Sequence, residues 1–242
     1  TAGTGSEVTS FAVLTDMARG VKHALVDDAL LPQAAVLEAG LLAGVPPAVT
    51  ADTGMDVLTH AAEACVATGA TPFTDALGEK AFVLAYQNLP AACRGDGAAR
   101  GRMLLASCLS GIAFNAAGLG LCHALSHALG GKYHLPHGRL NAMLLPHVVA
   151  FNAAQPQAAK KYARLAQLCG LSPTSRSLIF GLNRLRSQLG QPQRLSSCGV
   201  DGKTVKADSD AIAAAALADL CTPSNPRPAT AQDVKGLLKE LV

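Results

Sequence analysis

The sequence predicts a mainly α-helical protein. Half of its 242 residues are hydrophobic, and only 4% are aromatic. Alanine and leucine dominate, and Ala-rich composition with few β-branched or aromatic residues favours helix over strand. Beyond residue 47, apolar residues recur at the spacing of a helix face. These observations together predict a set of helices with little sheet.

The beginning of the chain predicts a loop followed by a β-hairpin. Thr1–Glu7 is rich in glycine and hydroxyl residues, which is typical of a loop. Val8–Asp16 carries β-branched residues and ends at a polar turn, and Lys22–Asp27 follows closely enough to pair with it. Prolines and short apolar runs then make Leu30–Val45 a connector.

Pro46-Pro47 is the clearest boundary in the chain, because paired prolines block helix formation around them. A helix is expected from about Val49, with apolar residues at helical spacing over Gly54–Ala67. The later helices are predicted over Thr74–Asn88, Gly97–Phe114, Gly120–Gly130, Leu140–Ala153, Gln157–Leu168, Ser175–Leu189, Ser209–Leu220 and Thr230–Leu241. Gln191–Ala207 is predicted to be a polar loop.

Composition excludes several classes of protein. With 20 basic and 17 acidic side chains, the net charge of +3 is too small to indicate a nucleic-acid binder. No apolar run approaches the roughly 20 residues that a membrane helix needs, so we expect a soluble, cytoplasmic protein. Seven scattered cysteines without a C-x-x-C pair favour reduced thiols over a disulfide framework.

Histidines cluster in a way that indicates a functional site. Five of the seven lie between His123 and His147. Asp56 and His60 are four residues apart, and so are His123 and His127, so each pair would share one face of a helix. His137 follows Pro136, where a loop could fold back toward the preceding helix.

Two readings of these histidines compete. Taken singly, His23, His134 or His147 is best explained as a side chain satisfied by a backbone carbonyl. The set of Asp56, His60, His123 and His137 would instead bury several polar groups that need partners, and one divalent metal supplies a partner to all of them. Three imidazoles and one carboxylate suit Fe²⁺ or Zn²⁺ better than Mg²⁺ or Ca²⁺. No H-E-x-x-H metalloprotease motif is present.

The glycine-rich start is a second, weaker signal. In Thr1-Ala-Gly-Thr-Gly-Ser6, backbone amides and hydroxyls could cradle a phosphate or pyrophosphate. A stretch of this composition is more often a flexible end, and on its own it does not decide between the two.

Four segments together resemble the iron-containing (group III) alcohol dehydrogenases of the dehydroquinate-synthase-like superfamily. They are Thr1–Thr9, Thr53–Ala64, Ala113–Gly130 and Pro136–Pro146. Two further stretches, Ala70–Asp75 and Ser224–Arg227, look most like the ethanolamine-utilisation branch of that family.

The resemblance implies a domain organisation. Residues 48–242 would form the all-helical metal-binding catalytic domain of a dehydroquinate-synthase-like fold. Residues 1–47 would be a remnant of the dinucleotide-binding domain, consisting of loop, β-hairpin and connector. Relatives carry a glycine-rich G-G-G-S turn before this point, so the resemblance also implies that the chain is a C-terminal fragment. Glu38-Ala39 and Arg139 depart from the usual pattern without touching a ligand position.

The resemblance also implies roles for single residues. The metal would be bound by Asp56, His60, His123 and His137. His127 would lie beside it as a catalytic proton-relay residue. The nicotinamide cofactor, NAD(P), would be contacted by Thr1 and Thr4 near its pyrophosphate and by Val13, Lys22 and Phe114 along its cleft.

The function implied by this resemblance is a metal-dependent alcohol dehydrogenase or aldehyde reductase, with Fe²⁺ or Zn²⁺, acting on a small primary alcohol or aldehyde. The fragment by itself is expected to be inactive, because the pyrophosphate-binding turn is missing. Two alternatives stay open: a hydrolase or lyase using the same His₃Asp site, and a non-catalytic helical module. The sequence also leaves open a homodimer and a location within a bacterial microcompartment.

Overall fold

An antiparallel hairpin precedes a bundle of α-helices in the computed structural model, which describes residues 3–16 and 21–242. Strands β1 (Phe11–Asp16) and β2 (Val21–Val26) pair with Ala12 opposite Leu25. The predicted mainly helical fold class, with a short hairpin before the helices, is confirmed.

The first seven helices follow one another with short connections, and longer segments precede α8 and α9. They are α1 (Pro47–Val66), α2 (Pro72–Cys93), α3 (Gly97–Ala117), α4 (Leu121–Tyr133), α5 (His137–Asn152), α6 (Pro156–Leu168), α7 (Ser175–Gln188), α8 (Gly202–Leu217) and α9 (Ala231–Lys239). The predicted start of the last helix is confirmed by a capping box, in which Thr230 accepts from the amide of Asp233 while the Asp233 carboxylate accepts from the amide of Thr230.

Two predicted helix starts were wrong by three residues or more, and α2 ends at Cys93, not at Asn88. The structure places His137 in the first turn of α5, not in a loop before a helix at Leu140. Pro136 can precede this helix because first-turn amides need no helical acceptor, and its carbonyl accepts from the amide of Leu140. Likewise α8 begins at Gly202, inside the predicted loop, because Asp201 accepts from the amides of Lys203 and Thr204.

Helix α1 lies in the middle of the bundle and packs against α2, α3, α5 and α6. Its residues are buried almost continuously from Gly54 to Val66. Helix α5 lies close to it at Gly138, where an added Cβ would lie only 2.1 Å from the backbone oxygen of Asp52. The same two helices are joined by an ion pair, in which Arg139 donates to both carboxylate oxygens of Asp52 at 3.3 and 3.0 Å.

The loop and hairpin are held against the bundle by polar contacts and close packing. The amide and hydroxyl of Ser10 donate to the side-chain oxygen of Asn115 on α3, at 2.9 and 3.0 Å. Gly5 has a left-handed backbone, with φ of 62°, and a Cβ there would lie 2.9 Å from Gly111 on the same helix. The glycine-rich segment from residue 3 is therefore packed on the helices and is not a free end.

The connector between the hairpin and α1 is fixed by one buried arginine. The guanidinium of Arg100 on α3 donates to the backbone carbonyls of Leu42, Ala43 and Val45, and to that of Ala92 at the end of α2. Arg100 is 7% exposed.

Within the described residues, no single helix is long and apolar enough to cross a membrane. Helices α3 and α4 reach that length and hydropathy only when taken together, and they are bent by 103° relative to one another.

Candidate metal centre

Helix α1 carries three polar side chains that point into the core. Asp56, His60 and Glu63 follow one another at intervals of four and three residues, which places them along one helix face. Their exposed fractions are 5%, 4% and 2%. A buried face of this kind needs polar partners from neighbouring helices, and α4 and α5 provide them.

The imidazoles predicted from the sequence converge on one carboxylate oxygen. Oδ1 of Asp56 lies 3.6 Å from Nε2 of His123 on α4, 3.6 Å from Nε2 of His137 on α5 and 3.8 Å from Nε2 of His60. Ligand atoms of Asp56, His123 and His137 all lie within 4.8 Å of one another. The structure thus brings together residues that are up to 81 positions apart in the chain, from Asp56 to His137.

His60 contributes by stacking as well as by its approach to Asp56. Its ring lies between the rings of Phe114 and His123, with centroid distances of 4.5 and 4.6 Å. It stands outside the group of three whose ligand atoms lie within 4.8 Å of one another. A small movement of the His60 ring would be needed for all four side chains to share an ion.

The electrostatics of the cluster reflect burial and mutual proximity. Burial lowers the pKa of His60 to about 4 and that of His137 to about 3, with Asp56 opposing both shifts. Burial alone would raise the pKa of Asp56, but the surrounding histidines hold it well below its usual range. His123 differs: burial lowers its pKa, yet hydrogen bonds to Asp56 and Glu63 raise it to about 9.

Two buried side chains of the cluster were not predicted. Oε2 of Glu63 lies 2.5 Å from Nδ1 of His123. Asn141 on α5 is fully buried, donates to Oδ1 of Asp56 at 2.7 Å and accepts from the hydroxyl of Ser126. Spacing could have found both, because Glu63 is seven residues after Asp56 and Asn141 is four after His137, which keeps each on the face of a predicted ligand.

His127 lies beside the cluster. Its ring stacks on that of His137 with a centroid distance of 5.1 Å, and its Nδ1 is 2.9 Å from Oδ2 of Asp219. Asp219 in turn accepts from the amide of Cys221 at 2.9 Å. Asp219, in the segment after α8, was not singled out in the sequence.

The cluster forms one wall of a cavity of about 360 Å³. Asp56, His60, His123, His127 and His137 line the polar side. The remaining wall is mostly apolar and includes Phe11, Phe114, Leu119, Leu220 and Cys221. A cavity of this size, with a few polar groups converging at one end, is typical of a site for a small molecule.

The predicted cofactor positions fall in three groups. Thr4 lines the cavity, and so does Phe114, whose stacking on His60 places it directly at the cluster. Thr1 lies outside the described residues. Val13 and Lys22 pair with Ala24 and Thr15 in the hairpin ladder, and their side chains are outside the described part of the structure.

Comparison with protein-family models decides the family. Residues 50–242 match the model described as "Fe-containing alcohol dehydrogenase family, C-terminal", and residues 1–39 match "Iron-containing alcohol dehydrogenase". This chain belongs to the iron-containing alcohol dehydrogenase family. The resemblance inferred from the sequence motifs is confirmed.

Curated relatives of this iron-containing alcohol dehydrogenase chain include two enzymes from Salmonella typhimurium. The 1-propanol dehydrogenase PduQ is 50% identical over 251 residues, covering 100% of this chain and 68% of the relative. The probable alcohol dehydrogenase EutG is 45% identical over 233 residues, covering 95% of this chain and 58% of the relative.

Comparison with solved structures finds proteins of the same fold with alcohol dehydrogenase or oxidoreductase names. The iron-containing alcohol dehydrogenase from Thermococcus thioreducens superposes with a TM-score of 0.94 at 37% identity, covering 100% of this chain and 62% of that one. A 1,3-propanediol oxidoreductase gives a TM-score of 0.92 at 40% identity, with 100% and 64% covered. The chain thus spans somewhat under two thirds of these structures.

Proposed function

We propose that this chain supplies the metal-binding part of an alcohol dehydrogenase or aldehyde reductase that moves hydride between a small primary alcohol and NAD(P). The observation that carries the proposal is the convergence of three imidazole nitrogens on one carboxylate oxygen at the wall of a small-molecule cavity. The alcohol dehydrogenase names of the relatives support the same reaction class.

The donor set fits a divalent transition metal. A tetrahedral ion about 2.1 Å from each ligand holds neighbouring ligands about 3.4 Å apart, close to the separations of 3.6 to 3.8 Å around Oδ1 of Asp56. In the described part of the chain, no lysine or arginine pairs with Asp56. Asp56, His60, His123 and His137 would therefore hold Fe²⁺ or Zn²⁺, as nitrogen donors suit borderline metals.

Each part of the proposed reaction can then be assigned to residues of the cavity. When bound, the metal supplies Lewis acidity toward an alcohol or aldehyde oxygen. The apolar wall at Phe114 and Leu119 would exclude water and hold the alkyl part of the substrate. With Nδ1 of His127 donating to Asp219, its Nε2 would be free to accept the hydroxyl proton and pass it toward solvent.

The cofactor is proposed to approach from the side of the hairpin and glycine-rich loop. Thr1 and Thr4 would contact it near the pyrophosphate, and Val13, Lys22 and Phe114 would line its cleft. In this proposal residues 1–47 belong to the dinucleotide-binding domain and residues 48–242 to the catalytic domain. Because the chain spans 68% of PduQ, we expect little or no turnover from these 242 residues alone.

The first test is metal binding by the 242-residue chain. We expect one Zn²⁺ per chain in competition with a chromophoric chelator. His137→Ala should weaken binding by at least about 100-fold, since losing a ligand costs more than losing an outer contact. His147→Ala is the matched control, because it lies on the same helix but lines a different cavity. Equal Zn²⁺ affinity in both variants would refute the assignment.

The second test addresses the reaction. The chain is fused to the part of PduQ that it does not match. The 50% identity of the matched part favours a compatible contact between the two. We expect 1-propanol-dependent reduction of NAD⁺ that requires added Fe²⁺ or Zn²⁺ and disappears with Asp56→Ala. Ester or phosphoester hydrolysis without alcohol oxidation would favour the hydrolase instead, and absence of metal binding would favour the helical module.

A further inference from the structure

Glu63 is a buried carboxylate to which neither the sequence motifs nor the proposed reaction assigns a role. It is 2% exposed, and within the described residues its only ion-pair partner is His123. A carboxylate of this kind is costly in a core unless its oxygens are satisfied. Its two oxygens make two different contacts with the start of α4.

The first contact fixes the position of the carboxylate. Oε1 accepts from the backbone amide of Cys122 at 2.7 Å. Cys122 is the second residue of α4, so its amide has no acceptor within the helix and points toward the positive end of the helix dipole. Cys122 is fully buried, so water cannot take over this hydrogen bond.

The second contact acts on the imidazole of His123. Oε2 lies 2.5 Å from Nδ1, while Nε2 of the same ring faces Oδ1 of Asp56 at 3.6 Å. An ionised carboxylate only accepts hydrogen bonds, so Nδ1 must carry the proton. When the ring loses its second proton to bind a metal, the lone pair is then on Nε2, which faces Asp56.

We propose that Glu63 is a positioning residue that fixes the tautomer and ring orientation of His123 for metal binding. This inference rests on the proposed metal site. It predicts that removing one acceptor from residue 63 weakens the metal site without removing a ligand, because outer contacts to a metal-bound histidine set its tautomer and basicity.

Glu63→Gln tests this closely, because glutamine has the same shape but only one acceptor oxygen. If that oxygen keeps the amide hydrogen bond of Cys122, the NH₂ group faces Nδ1 of His123 as a donor. The imidazole then carries its proton on Nε2, where it blocks the metal. We expect Zn²⁺ affinity to fall by about 10- to 100-fold. The matched control is Asp75→Asn, which makes the same carboxylate-to-amide change at an ion pair with Lys161 away from the cluster.

The second readout is independent of affinity. In ¹⁵N-histidine-labelled protein, long-range ¹H–¹⁵N spectra report which ring nitrogen of His123 carries a proton. We expect a protonated Nδ1 in the wild type and in Asp75→Asn, and an unprotonated Nδ1 in Glu63→Gln. Zn²⁺ affinity of Glu63→Gln within about threefold of wild type, or a retained Nδ1 proton in that variant, would overturn the proposal.

Failure of this inference can be told apart from failure of the proposed function. If the wild type binds no Zn²⁺, the metal site is wrong, whereas the proton on Nδ1 still tests the contact between Glu63 and His123. If Glu63→Gln does not fold, the Zn²⁺-bound wild type decides: coordination of His123 through Nε2 supports the proposal, and coordination through Nδ1 overturns it.

Discussion

Arg100 offers a direct test of how the hairpin segment is attached to the bundle. Its guanidinium is buried on α3, where it donates to four backbone carbonyls. Three of these belong to the connector, at Leu42, Ala43 and Val45. Arg100→Met keeps most of the aliphatic volume of the side chain and removes all of these donors.

The loss of stability in Arg100→Met depends on which of these carbonyls can form a hydrogen bond to water instead. Those of Ala43 and Val45 belong to exposed and half-buried residues, so water can replace the guanidinium there. Leu42 and Ala92 are 7% and 0% exposed, and their carbonyls also accept from the amides of Val45 and Gly95. Each would therefore keep one hydrogen bond and lose one to a charged donor, which is worth about 1.5–3 kcal/mol. Avoiding the desolvation of the guanidinium offsets part of that loss. We expect a net loss of about 3 kcal/mol, or a fall in Tm of roughly 6–12 °C for a chain of this size.

Urea and thermal unfolding followed by circular dichroism measure this loss. The control is Arg102→Met, two residues along α3, where the exposed side chain makes one hydrogen bond to Asn88. An exposed substitution of this kind should change stability by at most about 0.5 kcal/mol. A loss below about 1 kcal/mol for Arg100→Met, or a loss equal to that of the control, would show that the connector carbonyls do not depend on the guanidinium.

Three further predictions concern the cluster. In the metal-free chain, His60 and His137 stay neutral in the folded state as the pH falls below 6.5, while the same histidines take up protons in the unfolded chain. The free energy of unfolding should therefore fall from pH 6.5 downward, by about 1–2 kcal/mol per histidine at about pH 5. His123, whose pKa is raised to about 9, acts in the opposite sense, so its contribution to the free energy of unfolding should be lost as the pH rises from 6.5 through 9. A free energy of unfolding in urea that stays constant across both pH ranges would contradict these shifts. Gly138→Ala should push α5 away from α1 and weaken Zn²⁺ binding, since the new Cβ would meet the backbone of Asp52 at 2.1 Å; unchanged affinity would show that the helices can yield. Asn141→Ala should cost about 1–3 kcal/mol of metal-free stability by leaving Asp56 without its amide donor, and unfolding no easier than that of wild type would refute this.

The sequence predicted part of the cluster because Asp56 and His60 obey a local rule. Asp56 and His60 share a face of one long helix, so predicting a helix for that segment is enough to place them side by side. The convergence of His123 and His137 on the same point was suggested by their chemistry, but its distances depend on how α4 and α5 pack. Contacts between helices far apart in sequence are set by side-chain packing, which periodicity does not describe.

The parts that were missed depend on helix caps and on packing between helices. The prediction placed His137 in a loop after Pro136, although proline is tolerated where a helix begins. It placed Gly202 in a polar loop, although Asp201 caps a helix that starts there. Glu63 was not singled out from the sequence, because its contacts are with the amide of Cys122 and the ring of His123 on α4. Spacing places Glu63 on the same helix face as Asp56, but its contacts with α4 depend on how the helices pack.

The centre of the fold and the candidate metal site are built from the same helices. Alkyl side chains would fill the positions of Asp56, Glu63 and Asn141 without any cost of desolvation. Instead these groups satisfy one another across α1, α4 and α5, with Glu63 linking the start of α4 to His123 and Asn141 linking Asp56 to Ser126. Helix packing therefore sets the ligand geometry, and a bound cation would in turn stabilise the packing of these three helices, because it binds the folded arrangement and not the unfolded chain.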